Sequence, residues 1–148
     1  MISTDPERID INALYRYLHD EAYWSQGIPR DVIERSIRHS LCFGVYDGDA
    51  MVGFARVISD YATFAYLGDV FVLPDHRGKG LSKKMMEAIS NHPDLQGLRR
   101  FHLVTRDAHG LYSRFGYRIV AEPGRHMEKV APARELYDQP GGETEGSC

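Results

Sequence analysis

The sequence predicts an α/β (α+β) fold, in which about four helices flank a central mixed, mostly antiparallel sheet. One observation is a β-hairpin signal, because strand-like apolar runs at 41–46 and 51–58 flank the turn sequence Asp47-Gly48-Asp49. The other is a helical pattern enclosed by strand-like runs at 61–72 and 101–105, which implies a parallel crossover. The sheet is therefore expected to contain both kinds of pairing.

Two amphipathic helices are predicted before the hairpin. Apolar residues recur at helical spacing over 10–20, where Asp10 can cap the N-terminus, and again over 29–37, where Pro29 can begin the helix. The connection between them contains Trp24, the one tryptophan of the chain. This residue either packs the loop onto the core or forms a wall of a substrate pocket, and the sequence favours neither role.

The stretch from 69 to 84 joins a strand to a helix through a basic turn. Pro74 closes the strand because it cannot donate to a following ladder. Glycines let a phosphate approach the backbone, and a helix N-terminus carries roughly half a positive charge. The turn and the first helical residues are Arg77, Gly78, Lys79, Gly80, Leu81, Ser82, Lys83 and Lys84. We predict a diphosphate site here, and the alternative is an ordinary turn with solvated lysines.

The remainder of the chain predicts one more helix and two strands. The helix covers 108–115 and stops at Gly116, a strand follows at 117–120, and a weak strand is expected at 126–130. From residue 138 onward Gly, Pro, Glu and Ser dominate. We therefore expect a single domain over residues 1–137 and a disordered tail over 138–148.

Composition excludes several classes of function. A net charge of −3 gives no general attraction to nucleic acid or to an anionic membrane, so neither is expected as a partner. Cys42 and Cys148 are too few and too far apart for a disulfide framework, and the seven histidines form no metal-ligand spacing, so no metal is expected. The absence of an export signal predicts a cytoplasmic location.

Two motifs resemble those of the GNAT superfamily of N-acetyltransferases. Arg77 and Gly80 match the family pattern Arg/Gln-x-x-Gly-x-Gly/Ala, and they follow a strand ending in Val-x-Pro. Residues 111–117 match Leu-Tyr-x-x-x-Gly-Phe/Tyr in the expected order and spacing. Ser82 departs from Gly/Ala in the first motif, and Thr105 stands where the family often has Asn.

The resemblance implies a GNAT fold that binds acetyl-CoA and transfers its acetyl group to a primary amine by direct attack on the thioester. The residues implied in acetyl-CoA binding are Val70, Phe71 and Val72 of the strand, the turn residues Arg77, Gly78, Lys79, Gly80, Leu81, Ser82 and Lys83, and Thr105. Tyr112 is the implied general acid for the departing sulfur. Its alternative role is to complete the apolar face of its helix.

Removal of the amine proton requires an acceptor, because a lysine-like amine with a pKa of about 10.4 is almost fully protonated at pH 7. Asp69 is the predicted acceptor, acting through water, and its alternative is a solvated or capping aspartate. Trp24, Tyr61 and Tyr66 would complete an aromatic, acidic pocket for a cationic amine.

The nature of the acceptor stays open at this stage. A small-molecule amine is favoured over a protein amino group. The rival class of function is a non-catalytic sensor that binds acyl-CoA, and such a protein would not need the general acid Tyr112. The sequence also leaves a homodimer open.

Overall fold

The structure, a computed structural model, describes residues 1–137. It contains one five-stranded sheet with the strand order β1-β2-β3-β4-β5, in which β4 and β5 are parallel and all other neighbours are antiparallel. The strands are β1 (Ile2–Ser3), β2 (Leu41–Asp47), β3 (Ala50–Ser59), β4 (Phe64–Val72) and β5 (Arg100–Leu103). The helices are α1 (Ile11–Arg16), α2 (Arg30–Arg38), α3 (Leu81–Asn91), α4 (His109–Ser113) and α5 (Ala133–Tyr137). The predicted mixed sheet flanked by helices is confirmed.

The first predicted helix is present, but it changes its geometry part-way. Asp10 caps α1, because its carboxylate accepts a hydrogen bond from the Ala13 N–H at 3.1 Å. Beyond α1 the chain continues as a wider π-helical turn, Tyr17–Glu21, closed by a hydrogen bond from the Ala22 N–H to the Tyr17 carbonyl. This ending places the following loop, which carries Trp24, above the sheet.

Helices cover both faces of the sheet. Adjacent residues of β2 belong to opposite core clusters, as the alternation of side chains along a strand requires. One cluster packs under α3 and contains Phe43, Val45, Val52, Ala55, Val57, Ala65, Leu67, Val72, Met85, Met86, Ile89, Leu95 and Tyr112. The other packs under α1 and α2 and contains Leu14, Tyr17, Leu18, Ala22, Ile33, Cys42, Tyr46, Met51, Phe54 and Phe71.

Some sequence predictions about strands were wrong. Residues 117–120 and 126–130 form no strand, although their composition favours one, because neither segment has a pairing partner within residues 1–137. The run predicted from residue 61 begins only at Phe64, because the Asp60 carboxylate accepts hydrogen bonds from the next residues and closes a tight turn. The two-residue β1 was not predicted, since it is too short to show alternation.

Cys42 provides a test of the packing under α1 and α2. Burial raises the pKa of its thiol to about 11, and Asp69 adds to this effect while Arg56 opposes it. At pH 8 roughly one thiol in 10³ is then the reactive thiolate, against about one in ten for a cysteine with an unshifted pKa of 9.0. We expect iodoacetamide to alkylate Cys42 about 100-fold more slowly in the native protein than in denaturant, as measured by peptide mass spectrometry. Equal rates would contradict the buried placement.

Candidate active site

An extra residue in β4 produces a β-bulge near the middle of the sheet. Along the β3–β4 ladder, Phe54 pairs with Phe71 and Arg56 pairs with Gly68, so two residues of β4 lie opposite one residue of β3. Asp69 has a φ of +54°, which is uncommon for a residue other than glycine. This left-handed residue directly follows Gly68. The bulge turns the Asp69 side chain away from the regular alternation of the strand.

Beyond this point β4 and β5 separate. Their parallel pairing ends at Leu67 and Leu103, but β4 continues to Val72. Within the described chain, residues 68–72 therefore have no strand partner on the β5 side. The side chains of Phe71 and Val72 are buried in the core. A ligand between the two strands would therefore meet these residues of β4 mainly through the backbone.

Asp69 organises one wall of this opening. Its two carboxylate oxygens accept hydrogen bonds from the Trp24 indole N–H and from Nε of Arg56, each at 2.8 Å. The Arg56 guanidinium also donates to the Ser40 hydroxyl at 3.2 Å. The side chains of Asp69 and Arg56 are only 14% and 19% exposed, so this ion pair is largely shielded from water. Residues from the first loop, β3 and β4 are thereby tied together.

Tyr112 lies in the short helix α4. The Thr105 hydroxyl accepts a hydrogen bond from the Ala108 N–H at 3.0 Å, immediately before this helix. The Tyr112 side chain is buried, and burial raises the pKa of its phenol, with a further contribution from Tyr23. The phenol donates none of the side-chain hydrogen bonds found in residues 1–137. A buried, protonated hydroxyl of this kind is suited to donate a proton to a ligand.

Tyr23 lies beside Trp24 of the Asp69 wall and is close enough to Tyr112 to contribute to the raised pKa of its phenol, and the sequence prediction missed it. Its ring contacts Trp24 edge-on at a centroid distance of 5.1 Å. The guanidinium carbon of Arg106 lies over the Tyr23 ring, 3.8 Å from the ring centroid. The one available signal was its position beside Trp24 in a loop without apolar periodicity. The structure therefore adds Tyr23 to the candidate site.

The basic turn has the geometry expected of an anion site. Gly78 and Gly80 have φ values of +79° and +75°, which favour glycine, and no side chain caps the N-terminus of the 11-residue helix α3. Lys79 and Lys83 are exposed beside these backbone amides, and Ser82 is partly buried in the first helical turn.

Arg77 is placed differently from the lysines of the turn. Its Nε donates to the Val72 carbonyl at 2.8 Å, and its Nη2 donates to the Tyr17 hydroxyl at 3.2 Å. These contacts direct the guanidinium towards the end of β4 and the first helical segment. Arg77 therefore fixes the turn to the rest of the fold in addition to any contribution of charge.

Of the predicted acceptor residues, Trp24 and Tyr66 lie near Asp69, and Tyr61 does not. Burial raises the pKa of Tyr66, and the charge of Asp69 raises it further, so these side chains are close. Tyr61 lies in the turn before β4, with a φ of +61°. Asp69 lies five positions after Phe64, the first residue of β4, and five positions span about 16 Å along a strand. Tyr61 is thus at the opposite end of β4.

Two absences apply to residues 1–137. No group of three or more His, Cys, Asp or Glu side chains is arranged to hold a metal ion. No helix in this range is both long enough and apolar enough to cross a membrane.

Comparisons with known proteins assign the chain to a family. A model of the acetyltransferase (GNAT) domain matches residues 38–119. A candidate acetyltransferase from Gibberella zeae is 32% identical over an alignment of 136 residues, and the match covers 77% of this chain and 76% of that protein. The crystal structure of a candidate GNAT acetyltransferase from Xanthomonas campestris is 53% identical, has a TM-score of 0.89, and covers 91% of this chain and 95% of that one.

The chain therefore belongs to the GNAT family of acetyltransferases. A thialysine N-ε-acetyltransferase from Sus scrofa is also similar, with 30% identity over 87 residues, but the match spans 53% of this chain and about half (51%) of that protein. The predicted family membership is confirmed.

Proposed function

We propose that this acetyltransferase moves the acetyl group of acetyl-CoA to a primary amine of a small molecule by direct attack on the thioester. The observation that carries the proposal is the arrangement at the opening between β4 and β5. There the buried side chain of Tyr112 lines a pocket that includes Leu103 at the end of β5, and Trp24 donates a hydrogen bond to Asp69 at the bulge of β4. The proposed acid is thus at the end of β5, and the proposed acceptor wall is at the bulge of β4.

The donor substrate fits the described residues. The uncapped amides of α3 with Lys79 and Lys83 would hold the diphosphate of acetyl-CoA, and the unpartnered edge of residues 68–72 would receive its pantetheine arm. In the reaction the amine nitrogen bonds to the acetyl carbon and the carbon–sulfur bond breaks. Tyr112 donates its proton to the departing sulfur, and the proton that the nitrogen loses after forming the new bond restores the phenol through solvent.

The proposed acceptor is an amine that is protonated, and therefore cationic, before it reacts. Trp24, Tyr23 and Tyr66 provide aromatic faces around a carboxylate, and such surfaces attract cations. Similarity to an enzyme named for acetylating the side-chain amine of thialysine supports an amine of this kind. Tyr61 is too far along β4 to be included in this pocket.

Asp69 is better suited to positioning than to the predicted role of proton acceptor. One oxygen of its carboxylate is occupied by the hydrogen bond from Nε of Arg56. Its second hydrogen bond fixes the Trp24 ring. We therefore propose that Asp69 holds the acceptor wall in place and attracts the protonated amine, which then loses its proton to water.

The proposal is tested by measuring CoA release with a panel of acceptors. Small primary amines, including lysine and thialysine, should support turnover, and peptides with a free N-terminus should not. Exclusive activity on peptides would overturn the small-molecule acceptor. Acetyl-CoA binding without turnover on any amine would instead favour a sensor.

The basic turn yields a separate prediction about binding of the donor. Acetyl-CoA at about 100 times its Kd should stabilise the protein by about 2.7 kcal/mol, which raises the Tm by roughly 5–10 °C. Lys79→Glu/Lys83→Glu should remove at least half of this shift, because both lysines are exposed beside the amides of α3. Arg77 is left unchanged because it also holds β4.

The matched control reverses two exposed cations of α2, Arg35→Glu/Arg38→Glu, which changes the net charge by the same amount. This variant should keep the full shift in thermal denaturation. An equal shift in both variants would refute the placement of the diphosphate.

A further inference from the structure

The loop between β5 and α4 carries an arginine beside the acceptor wall, which is formed by Asp69, Trp24 and Tyr23. The guanidinium carbon of this residue, Arg106, lies 3.8 Å from the centroid of the Tyr23 ring. Tyr23 contacts Trp24, and the Trp24 indole donates its hydrogen bond to Asp69. A row of contacts therefore leads from a carboxylate, through two aromatic side chains, to a guanidinium.

Within residues 1–137, Arg106 has no carboxylate partner. None of the ion pairs found in this range includes it, and its side chain is exposed. A guanidinium is planar and its N–H donors lie in that plane, so contact with a ring through its face leaves these donors free. The Tyr23 ring holds the cation in place without neutralising its charge. Arg106 thus presents free hydrogen-bond donors and a positive charge.

Arg106 also lies near the proposed acid. Its loop begins where β5 ends at Leu103, and Leu103 and Tyr112 line the same pocket. The Tyr23 ring under the guanidinium is close enough to Tyr112 to add to the effect of burial on the pKa of that phenol. The same ring is 51% exposed, so it does not close the space beside Arg106. An acceptor bound between the acid and the acceptor wall can therefore reach this guanidinium.

We propose that the acceptor carries a carboxylate in addition to its primary amine, and that Arg106 binds this carboxylate. The inference rests on the proposed function and narrows its acceptor to an amino acid or a related amino carboxylate. The amine would lie towards Asp69 and the carboxylate towards Arg106, so that each charge faces its opposite. One guanidinium balances the single charge of a carboxylate, whereas a phosphate monoester carries up to two negative charges.

CoA release measured with matched acceptors tests this inference. Lysine, ornithine and β-alanine are each compared with the corresponding carboxamide, which keeps the amine and the size but lacks the negative charge. The wild type should prefer the best acid over its amide by roughly 10- to 100-fold in kcat/KM, because hydrogen bonds between charged groups are strong. Most of the preference should lie in KM, since the carboxylate is bound equally before and during acetyl transfer.

Arg106→Gln should reduce this acid-to-amide ratio to about one, because glutamine keeps a polar side chain but has no charge. Arg106→Lys should retain part of the preference, because it keeps the charge and loses the planar pair of donors. The matched control is Arg114→Gln, which removes an exposed cation just after α4 and should keep the wild-type ratio. If Arg106 only supports Tyr23, Arg106→Gln would lower turnover on acid and amide by the same factor, and the unchanged ratio would overturn the inference.

The wild-type measurements separate this inference from the proposed function. Turnover on small amines with an acid-to-amide ratio near one would overturn the carboxylate and leave acetyl transfer to small amines in place. A preference for phosphoethanolamine over every acid would also overturn it, because the anionic group would then be a phosphate. Absence of turnover on all of these amines would overturn the proposed function, and this inference with it.

Discussion

Replacing Tyr112 by Phe should lower kcat about 100-fold and leave the Tm and the Kd for acetyl-CoA nearly unchanged. The ring remains to pack against the core cluster under α3, and only the hydroxyl is lost. A positioned proton donor contributes roughly 10²–10⁴ in rate, and a thiolate is a fair leaving group by itself, so the lower end is expected. Steady-state kinetics with a good acceptor from the panel provides the measurement.

The pH dependence follows from the direction of the pKa shift. Burial and Tyr23 raise the pKa of Tyr112 above its usual value of 10.0, so the phenol is protonated throughout the neutral range and loses its proton only as the pH rises through this higher value. The ratio of wild-type to Tyr112→Phe turnover should therefore be constant between pH 6 and about pH 9.

Tyr117→Phe is the matched control for this prediction. Tyr117 is a neighbouring tyrosine whose ring lies 5.9 Å from that of Tyr112, and burial also raises its pKa. Removing its hydroxyl should change kcat little, because it is assigned no role in the reaction. Wild-type turnover by Tyr112→Phe would contradict the acid role and would favour packing as the function of this side chain.

The parts of the site that lie in one continuous stretch could be predicted from the sequence. The strand end, Pro74, the two glycines with positive φ and the start of α3 are set by neighbouring residues, so local patterns contain the information. The same holds for the cap of α1 by Asp10, which needs only a residue three positions away.

The network around Asp69 could not be predicted in this way. It combines Trp24 from a loop, Arg56 from β3 and Asp69 from a bulge in β4. The sequence indicated Trp24 and Asp69 but not Arg56, and the pairing depends on how β3 and β4 are aligned around the extra residue. The strands expected at 117–120 and 126–130 failed for a related reason, because a strand requires a partner and a local pattern cannot supply one.

Replacing Asp69 by Ala should produce the largest loss of stability among the site variants. It leaves the Arg56 guanidinium without its carboxylate and the Trp24 indole without its acceptor. Breaking a fully buried pair costs about 3–5 kcal/mol, and since these side chains keep some contact with water we expect a lower loss of about 2–3 kcal/mol. Denaturant unfolding provides the free energy, and Asp49→Ala in the exposed hairpin turn is the control.

A double-mutant cycle with Arg56→Met tests whether this loss arises from the ion pair. The double variant should be more stable than the sum of the two single losses predicts, because removing both charges leaves neither one buried without a partner. Strictly additive losses would show that Asp69 and Arg56 act independently. The contact at 2.8 Å would then have no energetic importance.

Asp69→Asn separates positioning from proton transfer, since it preserves the shape of the side chain and removes the negative charge. If Asp69 positions Trp24 and attracts the amine, kcat/KM should fall about tenfold, because losing one hydrogen bond to a charged group costs about 1.5 kcal/mol. This factor should be the same at every pH between 6 and 9. A proton acceptor predicts another pattern. The loss would be greatest at low pH, where the amine holds its proton most firmly, and would shrink as the pH approaches the pKa of the amine. The two contacts of Asp69 favour the constant loss, and a loss that shrinks with rising pH would restore Asp69 as the base.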